Sequence, residues 1–501
     1  MKIIGLLDCD SFFASCEKVF RPDWANRPVV VLSNNDGCVV ARSPEAKALG
    51  IAMGAPLFQI RELARRAGVV VRSGNFALYG DLSRRVVETL GRWTPNVDVY
   101  SIDEAFLDLT GRFCDSSGRL RGDDAEKEEE TETGNGGGLG GLRGLDGVSG
   151  GGLGELGRIG KSGCVDWREF CASDERLPAT TRREIERTAA EIVETVRRWT
   201  GIPVSLGLGP TRTLAKAASR IAKRDGAATG RKFALLFDPE ERERELKRLP
   251  VGDVWGVGRR LLPAFWRLGL RTAFDLARVD PIYMRKNFSI VQEKTVRELR
   301  GERTFDSKTR PEAQKSLQIS RSFGATVETL AEMEEAVSSF ASTAAAKMRA
   351  RKIAASGVYV YMSTNGRDPN APRRNVGLAV NFARPTNSTP EFLSAALRLT
   401  RTLFDPKLAW RKAGVVALET VDESVAASRQ YLFEPDPERP AERRERDRRL
   451  CEALDKANAT FGKKSVFFAS DGIQPRWTPN ARFVSPSYTT DWNALPVVRA
   501  N

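Results

Sequence analysis

Three acidic residues at the ends of apolar segments are the residues of this chain best suited to bind metal ions. Asp103 and Glu104 are adjacent within the segment Tyr100–Asp108, and Asp8 follows the apolar segment Ile3–Leu7. Neighbours on a regular strand point to opposite faces, but at a hairpin tip or a bulge both carboxylates can turn toward one point. Mg²⁺ takes a few carboxylates together with water and substrate phosphate oxygens. An acidic pair beside a strand is more often a solvated turn, so the rest of the chain decides the interpretation.

The composition limits the chemistry that these acids could join. The chain has 501 residues, of which 41% are hydrophobic, so several domains are expected because single cores rarely exceed about 250–300 residues. It contains no histidine, which excludes a Ser-His-Asp triad and a His-ligated zinc site. No GxxxxGK[ST] phosphate loop is found. Catalysis must therefore use carboxylates, Lys, Arg, Tyr, Cys or a bound metal.

Charge and cysteine usage indicate the partner and the compartment. The formal net charge of +14 favours a polyanionic partner, although many cytoplasmic proteins are basic. The seven cysteines form no CxxC pair, which favours reduced thiols over a disulfide framework. No apolar segment reaches the length of a membrane span, and the apolar start is too short for a signal sequence. A cytoplasmic protein without membrane contact is expected.

The first 235 residues predict a sheet flanked by helices and several phosphate-binding features. Phe12 and Phe13 begin a helix after Asp8, and because they are adjacent, one should join the core while the other lines a pocket. Strand patterns at 27–32 and 38–41 precede Lys47, which lies near a helix start that suits a triphosphate. A helix around 180–200 and a strand at 202–208 follow. Basic residues then cluster on the next helix at Arg212, Lys216, Arg220, Lys223 and Arg224.

The remaining segments predict a break in the sheet domain and two DNA-binding units. Residues 113–163 are first acidic and then Gly-rich, and we expect a disordered insertion because such a segment cannot bury enough surface to order itself. Gly256-Val257-Gly258 lies between short helical patterns, as in helix-hairpin-helix modules that present backbone N–H groups to a DNA phosphate. Residues 304–315 are polar and predict a linker.

An α+β unit is predicted at 316–424, with strands at 320–323, 358–361 and 415–418 and helices at 327–351 and 390–403. Basic side chains of this unit suit contacts to a DNA backbone: Arg321, Arg349, Arg351, Lys352, Arg373 and Arg374.

Several of these segments together resemble the signature blocks of Y-family translesion DNA polymerases. The matching segments are Asp8–Glu17, Tyr100–Ala105, Leu214–Lys216 and Ile221–Lys223. Three further segments, Ser33–Val39, Asn75–Asp81 and Ser485–Trp492, are similar to the UmuC-type branch, which supplies the catalytic subunit of bacterial DNA polymerase V. The resemblance covers nearly the whole chain except 114–163.

The resemblance implies an α+β multidomain fold with the shape of a right hand. Its expected parts are a ferredoxin-like palm (1–25, 75–112 and 164–235), fingers (26–74), a helix-hairpin-helix thumb (236–303), an α+β little finger (316–424) and a C-terminal extension (425–501).

The resemblance also implies which residues act. Asp8, Asp103 and Glu104, with the backbone carbonyl of Cys9, would bind two Mg²⁺ ions. The implied nucleotide-binding residues are Phe12, Phe13, Lys47 and Lys223, with Phe13 as the steric gate that rejects a 2′-hydroxyl group. The implied contacts to primer-template DNA are Gly256, Gly258 and Arg321, and Leu432 with Phe433 would bind a sliding clamp.

Three positions depart from patterns in the wider family. Pro44 stands where other branches have a phosphate-binding Tyr, and Lys47 stands where many have Arg, so weaker or differently built nucleotide binding is expected. Arg429 replaces the leading Gln of the clamp motif. A UmuD′ dimer and a RecA filament are further implied partners in the SOS response.

Two alternatives stay open from the sequence alone. A non-catalytic DNA-binding accessory protein could use the same fold, but it would be expected to have lost the metal-binding acids, and all three are present. A nucleotidyl cyclase also uses paired acids on a similar sheet. The helix-hairpin-helix pattern and the basic C-terminal half argue against a cyclase.

Overall fold

The computed structural model describes residues 1–115, 120, 176–305, 314–364, 372–428, 441–473 and 475–497. Most of the predicted insertion at 113–163 and of the predicted linker at 304–315 lies outside the described residues.

The strands of the described residues are, in chain order, β1 (Ile4–Cys9), β2 (Val29–Leu32), β3 (Val39–Arg42), β4 (Val70–Ser73), β5 (Val97–Val99), β6 (Glu104–Asp108), β7 (Val204–Gly209), β8 (Phe233–Leu235), β9 (Ser316–Val327), β10 (Ile353–Thr364), β11 (Asn375–Thr386) and β12 (Trp410–Asp422).

The α-helices of the same residues are α1 (Phe12–Val19), α2 (Pro44–Ala48), α3 (Leu57–Arg66), α4 (Phe76–Leu90), α5 (Thr110–Phe113), α6 (Ala179–Thr200), α7 (Arg212–Thr229), α8 (Pro239–Arg248), α9 (Leu262–Arg267), α10 (Ala273–Ala277), α11 (Pro281–Asn287), α12 (Ile290–Leu299), α13 (Leu330–Ala350), α14 (Thr389–Leu403), α15 (Glu423–Ser428) and α16 (Ala441–Phe461).

A five-stranded sheet with the order β5-β6-β1-β7-β8 carries two of the predicted acids. Its central strand β1 is antiparallel to both neighbours, β6 and β7. Leu6 and Leu7 are both buried, which means that both faces of the sheet are covered. Leu7 packs in the core that contains α4 and α6, whereas Leu6 packs with Ala215 of α7 on the other face. Helices on both sides therefore hold β1 in place.

Helix α7 lies unusually close to this sheet because β7 contains Gly207. A Cβ atom at Gly207 would lie 2.0 Å from the backbone nitrogen of Ser219 and 2.2 Å from the carbonyl oxygen of Ala215. Only glycine allows this approach. The contact fixes the position of the basic residues that α7 carries.

A three-stranded sheet with the order β3-β2-β4 forms the core of residues 29–73. The strands predicted at 27–32 and 38–41 are confirmed by β2 and β3. Strand β4, which is parallel to β2, was not predicted. Its four residues lie between a helix and a turn and are too few to show a clear alternation.

A four-stranded sheet with the order β11-β10-β12-β9 packs against α13 and α14. The three predicted strands and both predicted helices of this unit are confirmed. Strand β11 was missed, because it lies at the sheet edge and most of its side chains are only partly covered. Edge strands show the buried-exposed alternation weakly.

Residues 239–299 form a helical core around Phe265 that also includes Leu214 and Ile221 of α7. The predicted Gly256-Val257-Gly258 turn lies between a 3-10 helix at Val251–Asp253 and α9. Helix α16 packs near α14, and Arg349 of α13 forms an ion pair with its Asp455 at 2.7 Å. Among the described helices, none has both the length and the apolar composition needed to cross a membrane.

Candidate active site

The register of β1 with β6 places Asp8 directly opposite Glu104. Directly opposed residues of an antiparallel pair point to the same face, so the two carboxylates are neighbours. The backbone N–H of Cys9 donates to the carbonyl oxygen of Asp103 at 2.8 Å. The N–H of Ser101 donates to the carbonyl oxygen of Glu104 at 3.0 Å and closes the turn. The hairpin tip is thus fixed against the end of β1, as predicted.

Two lysines of α7 neutralise these carboxylates. The Nζ atom of Lys216 lies 3.0 and 2.8 Å from the two carboxylate oxygens of Glu104, and Lys223 forms an ion pair with Asp8. Lys216 and Lys223 are seven residues apart, which is about two helical turns and puts them on one face of α7. Each acid at this end of the sheet therefore has a lysine ammonium group beside it.

A further acid, Asp10, joins this ionic network. Its carboxylate accepts a hydrogen bond from the Ser205 hydroxyl at 2.9 Å and contacts Lys232 at 3.2 Å and Lys223 at 3.6 Å. From the sequence, Asp10 was interpreted as a possible N-cap of the first helix and as part of the family motif, and Lys232 was not considered. The signal for Asp10 was its position two residues after Asp8, since alternate residues of a strand share a face. Lys232 gave no signal, because a single lysine before a short strand is usually a solvated side chain.

Burial raises the pKa of Asp8 to about 7, against the opposing effect of Lys223 and with a smaller upward contribution from Glu104. A carboxyl group of this kind gains from a cation that compensates its charge. Burial also raises the pKa of the Cys9 thiol well above its usual value. The Cys9 sulfur therefore stays protonated near neutral pH, and only its backbone carbonyl matches the predicted role as a ligand.

Asp103 does not share the position of the other two acids. Its Oδ1 atom accepts a hydrogen bond from the Ser101 hydroxyl at 2.6 Å. Within the part of the chain that the structure describes, no group of three or more His, Cys, Asp or Glu side chains is close enough to hold a metal ion. The structure brings Asp8 and Glu104 together and leaves the predicted three-acid group incomplete.

The residues present nevertheless fit a hard divalent cation. Asp8 and Glu104 supply oxygen ligands of like charge, and each is balanced here by a lysine ammonium group. Asp103 lies one residue from Glu104 in the same hairpin, and its carboxylate is here hydrogen-bonded to the Ser101 hydroxyl.

The two predicted aromatic residues occupy different environments. Phe12 is only 4% exposed and its ring belongs to the core, so this burial does not favour a ring contact to a nucleotide. Phe13 lies at the edge of the same core and stacks on Tyr79, with the ring centroids 4.5 Å apart and the planes 16° apart. Phe76 meets Phe13 edge to face at 5.8 Å. Phe12 therefore takes the core position, and Phe13 is the more accessible of the two rings.

Cations gather beside the start of α1. The Nζ atom of Lys47 donates to the Ser11 hydroxyl at 3.0 Å, and Ser11 itself does not cap the helix with its side chain. Burial lowers the pKa of Lys47, and the nearby charges of Arg42 and Lys223 lower it further. Such a cluster of partly desolvated cations at a helix N-terminus suits a polyanionic group such as a triphosphate.

The predicted DNA contacts lie at exposed positions. Gly256 and Gly258 are exposed, and a Cβ atom at Gly258 would meet nothing within 4 Å, which leaves room for a close backbone approach. Arg321 is exposed on β9. The prediction that Arg349 contacts the DNA backbone is wrong. Its guanidinium group is largely buried and bound to Asp455, so it is not available to DNA. Leu432 and Phe433 lie outside the described residues.

Comparisons with known proteins identify the family of the chain. Residues 7–220 match the model of the impB/mucB/samB family, residues 314–431 match that family's C-terminal domain, and residues 448–498 match a domain of unknown function, DUF4113. The chain is 34% identical over 498 residues to the protein UmuC of Salmonella typhimurium, covering 98% of this chain and 99% of that protein. The protein ImpB of Salmonella typhimurium is also 34% identical and is covered completely.

More distant relatives share the fold. DNA polymerase IV of Corynebacterium diphtheriae is 28% identical over 55% of this chain and 45% of that protein. A solved chimera of the Y-family DNA polymerase Dbh superposes with a TM-score of 0.57 at 17% identity, covering 84% of this chain and 99% of the chimera. The fold is therefore that of a Y-family DNA polymerase. Within that class, the chain belongs to the impB/mucB/samB family, the UmuC-type branch.

Proposed function

We propose that this chain is an error-prone translesion DNA polymerase that copies damaged templates by two-metal phosphoryl transfer in the SOS response. The observation that carries the proposal is the opposition of Asp8 and Glu104 at the end of the central strand, with Lys216 and Lys223 beside them. Membership of the UmuC-type branch supports DNA-directed DNA polymerase activity. Phosphoryl transfer of this type needs carboxylates and basic residues but no histidine, which agrees with the composition.

Two Mg²⁺ ions would be held by Asp8, Asp103, Glu104 and the backbone carbonyl of Cys9. When bound, the ions lower the pKa of the primer 3′-hydroxyl and neutralise charge on the triphosphate. Because the pKa of Asp8 is about 7, this residue can exchange its proton for a cation near neutral pH. Asp103 would leave Ser101 to complete the group.

The incoming nucleotide would lie between α1 and the basic face of α7. Lys47 and Lys223 would bind the triphosphate, and Arg42 adds positive charge near Lys47. The Phe13 ring, supported by Tyr79, would lie under the sugar, where a 2′-hydroxyl group has no room. Phe12 would support the pocket from the core rather than by direct ring contact.

The thumb and little finger would hold the primer-template duplex through its phosphates. Gly256 and Gly258 would offer backbone N–H groups, and Arg321 would contribute a charged contact. The further partners would be a UmuD′ dimer, a RecA filament and a sliding clamp, the last through Leu432 and Phe433.

One observation favours a second function, a non-catalytic DNA-binding accessory protein: Asp103 is bound to Ser101 instead of joining the other acids. Primer extension on undamaged and abasic templates, with and without UmuD′ and RecA, separates the two. A polymerase extends the primer past the abasic site when Mg²⁺ and dNTPs are supplied. An accessory protein binds the same DNA and extends nothing under any of these conditions.

A further inference from the structure

A stretch near the C-terminus, residues 477–488, runs across all three sheet-containing units, and it is called the tail segment below. It begins with Trp477, which is buried in the core of the four-stranded sheet against the rings of Phe323 and Phe340. The backbone N–H of Gly324 donates to the Trp477 carbonyl oxygen at 3.2 Å. The segment is therefore anchored at its start by both apolar and backbone contacts.

The tail segment next meets the turn that joins β2 to β3. The backbone N–H of Asn480 donates to the Asn35 side-chain oxygen at 2.9 Å, and the backbone N–H of Arg482 donates to the Asp36 carboxylate at 2.8 Å. Asn35 and Asp36 have positive φ angles of 61° and 51°. Asn and Asp adopt this left-handed conformation more readily than most other residues with a side chain, and here both side chains serve as acceptors for the tail segment.

The tail segment then pairs with the chain between β4 and α4. The N–H of Phe483 donates to the Ser73 hydroxyl at 2.9 Å, and the N–H of Ser73 donates to the Phe483 carbonyl at 3.1 Å. Two residues later, the hydroxyl of Ser485 accepts a hydrogen bond from the Asn75 side chain at 3.0 Å. Ser485 is buried, so these bonds are protected from water.

The last contacts are made with one face of α1. The Ser485 hydroxyl donates to Oε1 of Glu17 at 3.1 Å, and the Tyr488 ring stacks on Phe20 with centroids 4.7 Å apart. Glu17 is completely buried. Burial raises the pKa of Glu17, while hydrogen bonds from the hydroxyl groups of Tyr79 and Ser485 oppose that rise.

Glu17 connects the tail segment with the nucleotide pocket. The same Oε1 atom accepts a hydrogen bond from the Tyr79 hydroxyl at 2.7 Å. The Tyr79 ring is fully buried and stacks on Phe13, which lies one helical turn before Glu17 on the same face of α1. Tyr79 is thus held at both ends, by its hydroxyl group on Glu17 and by its ring on Phe13.

We propose that Ser485 and Glu17 are positioning residues for nucleotide selection, because the tail segment fixes the Tyr79 ring and thereby the Phe13 ring. This inference rests on the proposed function, since Phe13 is the proposed steric gate. Removing the Ser485 hydroxyl takes one of two hydrogen-bond donors from a buried acceptor. The gate then becomes looser, so ribonucleotides are admitted more readily while the acids of β1 and β6 are unaffected.

The test compares the kcat/KM ratio for dNTP over rNTP in full-length variants. Ser485→Ala is expected to lower the ratio roughly three- to tenfold, because a hydrogen bond to a buried group is lost. Ser485→Thr keeps the hydroxyl group and should keep the wild-type ratio. The matched control is Ser487→Ala, an exposed serine of the same segment, which should leave the ratio unchanged. An unchanged ratio in Ser485→Ala, or an equal loss in Ser487→Ala, would overturn the inference.

A double-mutant cycle with Tyr79→Phe tests the route. If Ser485 acts through Glu17 and Tyr79, the ratio falls in each single variant and falls little further in the double variant. If the fold-decreases of the ratio in the two single variants instead multiply in the double variant, this route is contradicted. Hydrogen exchange at the amides of residues 13–19 gives a readout without catalysis: it should be faster in Ser485→Ala than in Ser487→Ala. If the wild-type protein extends no primer, the proposed function fails, and equal exchange in the two variants separately refutes the positioning role.

Discussion

The Nζ atom of Lys216 lies within hydrogen-bond distance of both carboxylate oxygens of Glu104, at 3.0 Å from one and 2.8 Å from the other. The lysine also lies over the Tyr100 ring, with its Nζ atom 4.9 Å from the centroid. This ion pair therefore holds the Glu104 side chain in place at the end of the hairpin, beside Asp8.

Replacing either hairpin acid should abolish synthesis but not DNA binding. Asp103→Asn and Glu104→Gln keep the side-chain shapes and remove a negative charge that Mg²⁺ requires, so primer extension should fall roughly a thousandfold. Affinity for primer-template DNA, measured by fluorescence anisotropy, should stay near the wild-type value. The matched control is Glu62→Gln, an exposed acid of α3, which should extend primers normally. Full extension by either hairpin variant would remove the metal assignment.

Divalent-cation binding should strengthen as the pH rises to about 7. The pKa of Asp8 is raised to about 7, so a proton competes with the cation below that pH and affinity should fall by up to about tenfold per pH unit. Isothermal titration of the metal-free protein with Mg²⁺ between pH 5.5 and 8.5 measures this dependence. The Asp8→Asn variant should bind Mg²⁺ more weakly than the wild-type protein, and its affinity for Mg²⁺ should depend less on pH. Constant affinity in the wild-type protein over this range would argue against Asp8 as a ligand.

The proton on Asp8 also makes the free energy of unfolding depend on pH. The folded metal-free protein keeps the Asp8 proton up to about pH 7, whereas the unfolded chain loses it near 3.8. Between these values the folded state binds more protons, so the contribution of Asp8 to the free energy of unfolding decreases as the pH rises and then levels off. Comparison with Asp8→Asn by urea titration at several pH values isolates this contribution. An Asp8 contribution that increased over the same range would contradict the raised pKa.

Phe13→Ala should admit ribonucleotides. Phe13 is the ring that stacks on Tyr79 at the edge of the core, and its removal opens the space that a 2′-hydroxyl group needs. The dNTP-to-rNTP ratio of kcat/KM should fall by roughly two orders of magnitude, since a steric exclusion is lost. Phe58→Ala, at an exposed phenylalanine of α3, is the matched control. A wild-type ratio in Phe13→Ala would show that another residue is the gate.

Gly207→Ala should destabilise the five-stranded sheet. The new Cβ atom would lie 2.0 Å from the Ser219 backbone nitrogen, so α7 would have to move away from β7. A loss of about 3 kcal/mol in the free energy of unfolding is expected for such overpacking. Gly111→Ala is the control, because a Cβ atom there meets nothing within 4 Å. Urea denaturation of both variants measures the difference, and equal stability would show that the helix can shift at little cost.

The sequence was sufficient to predict which strands carry Asp8 and Glu104, because each strand is apolar and ends at an acid. It could not predict the state of Asp103, since the choice between Ser101 and its neighbouring acids depends on side-chain rotation and not on spacing. Arg349 was misjudged as a DNA contact, because the partner that neutralises it, Asp455, lies over a hundred positions away. Contacts of that range leave no local pattern.

In the fold, as in the site, features that depend on local sequence pattern were easier to predict than features that depend on contacts between distant residues. The strands that carry the acids and the two long helices of residues 316–424 were predicted correctly, whereas the short strand β4, the edge strand β11 and the helices α3 and α8 were missed. The contact of Ser485 with Glu17 joins residues 468 positions apart. The segment Ser485–Trp492 was noticed only as a family likeness, and nothing in its sequence indicated what it touches.

The position of the tail segment in the chain has a consequence for the order of folding. Residues 477–488 leave the ribosome after the three sheets described here have been synthesised, so the second hydroxyl donor of Glu17, Ser485, becomes available long after the first, Tyr79. A reading-frame shift after residue 476 would preserve every acidic and basic residue of the sheet and α7. Its product would lack both the Ser485 hydrogen bond to Glu17 and the Trp477 ring in the core of the four-stranded sheet, so the proposed sugar gate and that core would both be left incomplete.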